Sequence, residues 1–265
     1  MESVPKLFSA VAITSAVFVQ GASAALLVHF PFDGNATDAT GNIGDATLNN
    51  GAVTTAVGRF GGALDLTAND GAGIVGASNA VVAGGTHLNT AFANNAMAVS
   101  FHQFNNSFKR SSAFWVHSFE AGANDRGFQA HTPWVDGTIY FDHSGCCGGT
   151  QRLTATGAVS GQWQHFVFQS DAEGMMEIWI DGELAARAGG SEPLDAFNGI
   201  ITIGSEGNTD INGFDGLIDD FAIFDRALTQ EEIVNYSENP IAGIPEPATG
   251  FVSLLGGLLL LRRRR

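Results

Sequence analysis

The clearest pattern in the chain is the stretch Gly216–Glu232, GLIDDFAIFDRALTQEE. Leu217, Asp219, Phe221, Ile223 and Asp225 fall on one face of an extended backbone; Ile218, Asp220, Ala222 and Phe224 fall on the other. Phe and Ile suit a pleated, half-buried surface, so this alternation predicts a strand. The period then changes. Thr229 stands three residues before Glu232, the spacing of a capping box, and predicts a short helix. A strand closed by one or two helical turns needs an existing sheet to pair with, so the stretch reads as the end-piece of a β body.

Similar short runs recur upstream. The spacing predicts strands over 25–32, 62–66, 96–104, 113–119, 127–131, 138–142, 152–156, 163–170, 176–181, 183–188 and 199–204. Asp181-Gly182 is a two-residue hairpin signal. The stretch from Asp33 to Gly62 is rich in turn residues, and 69–95 reads as strand fragments on a long loop. Short strands with glycine at the turns predict an all-β antiparallel sandwich of two sheets, with one short helix near the C-terminus. No internal repeat is visible.

Asp215–Leu228 (DGLIDDFAIFDRAL) resembles the closing strand of laminin-G-like jelly-roll domains of the concanavalin A-like lectin/glucanase superfamily. Val28–Gly34 (VHFPFDG), Gly58–Leu66 (GRFGGALDL) and Glu177–Glu183 (EIWIDGE) fit the same pattern. The resemblance implies a two-sheet jelly roll. It says little about activity, because these folds serve lectins, hydrolases and adhesion modules alike.

The two ends differ from the body. Residues 1–24 have Lys6, an apolar run from Leu7 to Val19 and Ala22-Ser23-Ala24, the layout of a secretory signal peptide. The domain then spans 25–238, a proline-rich linker 239–247, and an apolar segment with an arginine cluster 248–265. The apolar run Ala248–Leu261 would make a helix of roughly 21 Å. A bilayer core is about 30 Å thick, so the run is a poor permanent anchor. Pro245-Glu246-Pro247, the apolar run and Arg262–Arg265 together resemble the PEP-CTERM sorting signal of Gram-negative bacteria. That resemblance implies an exosortase-type membrane protease as partner and transient membrane insertion. It also implies export across the inner membrane, with residence in the envelope or extracellular matrix.

Charge sharpens this picture. Between residues 25 and 246 there are seven Lys and Arg against 26 Asp and Glu, a formal balance of −19. Such a surface excludes nucleic acid as the main partner. It supplies oxygen ligands for a hard cation. Relatives with this fold often hold a structural cation between the chain's start and finish. The resemblance therefore implies calcium at Asp33 and Asp219, against the alternative that both are hydrogen-bonded turn or edge residues.

Catalytic patterns are poorly met. Gly71–Gly76 matches G-x-G-x-x-G, but no helix follows it, as a dinucleotide site requires. Glucanases of this superfamily carry an E-x-D-x-x-E strand. Glu177, Asp181 and Glu183 have the wrong spacing, and working carboxyls must sit about 5–5.5 Å apart. The stretch His131–Arg152 gathers Trp, Tyr, Asp, Arg, His and both cysteines. A hairpin tip there could stack an aromatic on a sugar ring while carboxylates accept its hydroxyls. Trp134, Asp136, Tyr140 and Asp142 are the candidate ligand residues; the alternative is a packed hairpin whose Trp and Tyr fill the core. Cys146 and Cys147 could close a strained eight-membered disulfide ring in an exported protein; free thiols or an intermolecular bridge are the other forms open to them.

The sequence thus leads to an exported, non-catalytic laminin-G-like module that binds a glycan or exopolysaccharide or serves as a matrix component. An atypical polysaccharide hydrolase or lyase is the alternative.

Overall fold

A computed structural model describes residues 24–69, 76–84, 86–117, 127–145, 149–194, 199–207 and 211–241. Residues 1–23 of the predicted signal segment, most of Gly71–Gly76, Cys146 and Cys147, and Pro245-Glu246-Pro247 with the residues after it lie outside the described residues.

The strands are β1 (Leu26–Phe30), β2 (Thr47–Asn49), β3 (Val53–Thr55), β4 (Ala63–Asp65), β5 (Asn79–Ala83), β6 (Met97–Asn105), β7 (Phe114–His117), β8 (Phe128–His131), β9 (Ile139–His143), β10 (Arg152–Ala155), β11 (Trp163–Ser170), β12 (Met176–Ile180), β13 (Glu183–Ala188), β14 (Ile200–Ile203) and β15 (Gly216–Phe224). Helix α1 spans Asn89–Ala93 and α2 spans Gln230–Glu238. Among the described residues, one sheet runs β13-β12-β11-β6-β15-β4-β3, with β1 also on β15; the other runs β10-β9-β8-β7-β14-β5-β2. Every ladder between these strands is antiparallel. The two sheets face each other across a phenylalanine-rich core. Phe101 of β6 lies 5.8 Å from Phe114, 6.0 Å from Phe166 and 6.1 Å from Phe168, so both sheets meet at one ring.

The closing strand departs from simple alternation. Ile218, Phe221 and Ile223 all enter the inter-sheet core, whereas Ala222 and Phe224 pack outside it. The pairing with β6 slips between Asp219 and Ala222, and Asp220 has φ +53°. This bulge inserts a residue and reverses the side-chain parity, which corrects the grouping of Ile218 with Ala222 and Phe224. Its partners on the other edge divide at the bulge: β4 pairs Leu217 and Ile218, β1 pairs Phe221 to Phe224.

Three elements were not legible in the pattern. β2 and β3 are three-residue strands inside the turn-rich excursion, too short to show a period. α1 is a single turn without a side-chain cap.

Helix α2 covers the outer face of the β11–β12 sheet. Ile233 and Tyr236 pack with Val167, Trp179 and Phe224 in a second apolar cluster. The expected capping box is present. Glu232 N donates to Thr229 Oγ1 at 3.3 Å, and Thr229 N donates to Glu232 Oε2 at 2.8 Å. Thr229→Ala should cost about 1 kcal/mol in urea unfolding; an unchanged midpoint would show that packing alone holds the helix.

Candidate functional site

The β8–β9 hairpin carries the aromatic cluster. His131 pairs with Tyr140 across the ladder, and residues 132–138 form the connecting loop. Trp134 N donates to the Thr138 carbonyl at 2.8 Å, and Gly137 N donates back to Trp134 at 2.9 Å. Gly137 has φ +80°, a left-handed turn that a side chain would resist. The hairpin's entry is fastened to the opposite sheet: Gln103 and Asn105 of β6 both donate to the Thr132 carbonyl, at 3.0 and 3.1 Å.

On this frame Trp134 and Tyr140 are half-buried and Asp136 is exposed. The two rings stand edge to face at 6.5 Å, with His131 4.8 Å from Trp134. Asp136 accepts from Thr138 N at 2.9 Å and from the Tyr140 hydroxyl at 3.3 Å. The Thr138 hydrogen bond holds its carboxyl below the usual carboxylate range.

Asp142 behaves differently. Its side chain is wholly enclosed, and it sits directly opposite Arg152 in the β9–β10 ladder. Arg152 grips both oxygens: Nε reaches Oδ1 at 2.5 Å and Nη2 reaches Oδ2 at 2.6 Å. The same guanidinium lies 4.7 Å from the Tyr140 ring centroid. Asp142 therefore does not face solvent with the other three. It positions Arg152, which in turn backs Tyr140.

Two further residues join the platform from the β6–β7 loop. Arg110 is exposed, with its guanidinium 5.6 Å from the Trp134 ring centroid. Phe108 is 40% exposed and lies over Gly137, where an added Cβ would meet its ring at 3.6 Å. Asp215 anchors this loop through Lys109 at 2.9 Å, Asn106 at 3.0 Å and Ser107 at 2.7 Å. Burial alone would raise the Asp215 carboxyl. Its three donors outweigh that and hold it below its ordinary value. The sequence pattern around the hairpin missed Phe108 and Arg110, because they reach it through tertiary contact from an earlier loop.

A serine, a histidine and an aspartate also meet beneath the platform. Ser112 Oγ lies 3.0 Å from His131 Nδ1, and His131 Nε2 lies 3.8 Å from Asp142. The wiring does not suit nucleophilic catalysis. Nδ1 also faces the Ser111 carbonyl at 3.0 Å, so that nitrogen carries a proton and cannot take one from Ser112. Ser112 is fully buried and accepts from Gln129 Nε2 at 3.0 Å. The carboxylates of the β12–β13 hairpin are likewise occupied. Glu177 accepts from Gln169 and Trp179, and Asp181 accepts from His165 N at 2.8 Å.

Asp33 and Asp219 converge on one loop, 58–62. Asp33 Oδ1 accepts from Gly62 N at 2.6 Å, and Asp219 Oδ2 accepts from Phe60 N at 2.8 Å. The loop folds tightly: a Cβ on Gly58 would fall 1.8 Å from the Gly62 carbonyl oxygen. Asp219 Oδ1 is buried without a hydrogen-bond partner, a feature that would suit a hard cation. Among the described residues, however, no group of three or more His, Cys, Asp or Glu is placed to hold a metal ion. Two carboxylates that each already serve a backbone amide are a thin donor set for calcium.

A family model described as the concanavalin A-like lectin/glucanases superfamily matches residues 76–234. Among curated protein sequences none matches the chain. Solved structures share the fold at low identity. One is domain 4 of AbnA, a GH43 extracellular arabinanase from Geobacillus stearothermophilus, in complex with arabinotriose. It is 19% identical with a TM-score of 0.58, and the match covers 81% of this chain and 98% of that one. Another is the receptor binding domain of botulinum neurotoxin C/D mosaic serotype, at 16% identity and a TM-score of 0.60, covering 80% of this chain and 51% of that one. The binding domain of botulinum neurotoxin DC in complex with SialylT matches at 15% identity and a TM-score of 0.60, again over 80% of this chain and 51% of that one.

Proposed function

Because this chain belongs to the concanavalin A-like lectin/glucanase superfamily, we propose that it is a non-catalytic glycan-binding module exported to the cell envelope or extracellular matrix. The observation that carries this reading is the platform at the hairpin tip, where the half-buried rings of Trp134 and Tyr140 meet the exposed Asp136, Arg110 and Phe108. Aromatic faces offer a sugar ring its apolar side, while Asp136 and Arg110 offer an acceptor and donors for hydroxyls. The rings are fixed before any ligand arrives, which lowers the entropy lost on binding. The fold's likeness to an arabinanase domain solved with arabinotriose supports a carbohydrate ligand. Asp142 belongs to this reading as the group that positions Arg152.

Export and sorting rest on the leader and on the Pro-Glu-Pro tail handled by an exosortase-type protease. The intact mass of the exported protein tests whether residues after the tail motif are removed. Calcium at Asp33 and Asp219 would stiffen the 58–62 loop rather than touch the glycan.

The platform is tested by affinity electrophoresis in matrix polysaccharides. Trp134→Ala and Tyr140→Ala should each weaken binding about tenfold or more, equivalent to about 1.4 kcal/mol. Because both side chains are half exposed, the unfolding midpoint should change little. Binding that survives both substitutions would overturn the reading. Reducing sugar released from the polymer, and lost with a single carboxylate, would favour an atypical hydrolase instead.

A further inference from the structure

A cavity of about 290 Å³ opens on the outer face of the other sheet, between β11, β12, the edge strand β13 and the segment entering α2. Its polar floor is built around Glu177, which is 7% exposed. Glu177 Oε2 accepts from Gln169 Nε2 and from the Trp179 indole, both at 2.7 Å. Oε1 accepts from Arg187 Nε at 2.6 Å. Gln169 is itself held by the backbone of Leu228: it accepts from Leu228 N at 2.8 Å and donates to the Leu228 carbonyl at 3.3 Å. Every polar group of the floor is therefore locked before a ligand enters, as a binding site requires.

The walls carry the groups that would meet a ligand. The Arg187 side chain is 54% exposed, so its guanidinium is held on one edge and open on the other. Asp171 lines the same cavity, and its Oδ1 accepts from Glu173 N and Met175 N, at 3.1 and 2.8 Å, which fixes the carboxyl. Gln230, the first residue of α2, adds an amide at the rim, and Ala227 adds an aliphatic surface.

We infer that this pocket is a second ligand site, which takes a single uncharged sugar unit at the end or branch of a glycan. Fixed donors and acceptors facing an aliphatic wall match the hydroxyls and C–H face of such a ring. The volume, about 290 Å³, falls just below the usual range for ligand pockets, about 300–1,000 Å³, which suits one unit rather than a chain. Two carboxylates against one guanidinium disfavour an acidic sugar. The inference extends the glycan-binding reading, but the pocket shares no residue with the platform. The pocket lies on the outer face of one sheet and the platform at the β8–β9 hairpin tip of the other, so one molecule with both sites filled would hold two glycan chains and gain avidity from both.

The Trp179 indole N–H reports on the pocket floor in ¹H–¹⁵N correlation spectra. The full exported protein would be titrated with glucose, galactose, mannose, N-acetylglucosamine and galacturonate. At least one neutral sugar should shift the Trp179 resonance saturably, with a Kd of about 1 mM, or −4.1 kcal/mol. Ala227→Phe, which fills the cavity, should abolish the shift. Asp171→Asn keeps the turn's acceptor and should weaken the shift several-fold, a check that stands if Ala227→Phe disturbs folding. Trp134→Ala should leave the titration unchanged while it weakens polymer binding about tenfold, so the two sites fail or hold separately. No response to any neutral sugar, a response to galacturonate alone, or a shift that persists in both pocket variants would overturn the inference.

Discussion

Asp142→Ala is expected to destabilise the protein by about 3 kcal/mol, the lower end of the cost of removing one partner from a buried pair. Asp142 is fully enclosed, and both its oxygens are held by Arg152. Without it the guanidinium loses two charge-assisted hydrogen bonds. The Arg152 side chain is 21% exposed and can still reach water, which places the loss at the lower end of the range. Its own shift has the same origin: the hydrogen bonds to Asp142 raise the Arg152 pKa above its ordinary value. Arg152 also leans on Tyr140, so some binding should be lost along with stability. Asp142→Asn, which preserves the shape, should destabilise less. Denaturant unfolding and affinity electrophoresis on the same variants separate the roles. If Asp142→Ala left stability intact while binding vanished, Asp142 would be a ligand group rather than a support.

Asp219→Asn should have the opposite sign and stabilise the protein by roughly 2 kcal/mol above neutral pH. Burial pushes the Asp219 carboxyl up to about 7, and neighbouring Asp220 adds to the rise. Its folded pKa lies above the unfolded value, so the cost of its charge is small in acid and grows as pH rises toward 7. A shift of this size sets an upper bound of about 4 kcal/mol. Relaxation around the charge reduces it. The histidines behind the same sheet act the other way. Burial lowers His102 to about 4 and pushes His165 well below its ordinary value. Their contribution is fully present above about 6.5 and is lost as pH falls toward 4. The native protein should therefore show a flattened stability curve between pH 4 and 7, and Asp219→Asn should turn it into a rising one. Calcium separates the two accounts of the orphaned oxygen. If a cation sits on Asp219, added calcium will raise the native unfolding midpoint and the Asn variant will be the weaker protein. If the carboxyl is simply protonated, calcium will change neither.

The resemblance drawn from a few strand motifs carried the fold class a long way. The alternation of β6, β11 and β15 is strong because each strand is long and lies inside a sheet, where burial enforces the pattern. The capping box was also readable, since its chemistry is confined to four consecutive positions. Parity within β15 was not, because a bulge at Asp220 depends on how β1, β4 and β6 compete for the same strand. β2, β3 and α1 were missed because three to five residues hold too little of a period.

The candidate site divides in the same way. The sequence alone determined that the 131–152 segment gathers aromatics and acids, and that the body carries a strong net negative charge. It determined this because composition and local spacing survive without a fold. Only the tertiary structure decided that Trp134, Tyr140 and Asp136 reach the surface while Asp142 is spent on Arg152. It alone brought Phe108 and Arg110 to the hairpin, turned Asp33 and Asp219 toward the same 58–62 loop, and opened the cavity beside Trp179. These outcomes depend on which strands become neighbours, and burial and pairing are properties of the packed sheets rather than of any one stretch of chain.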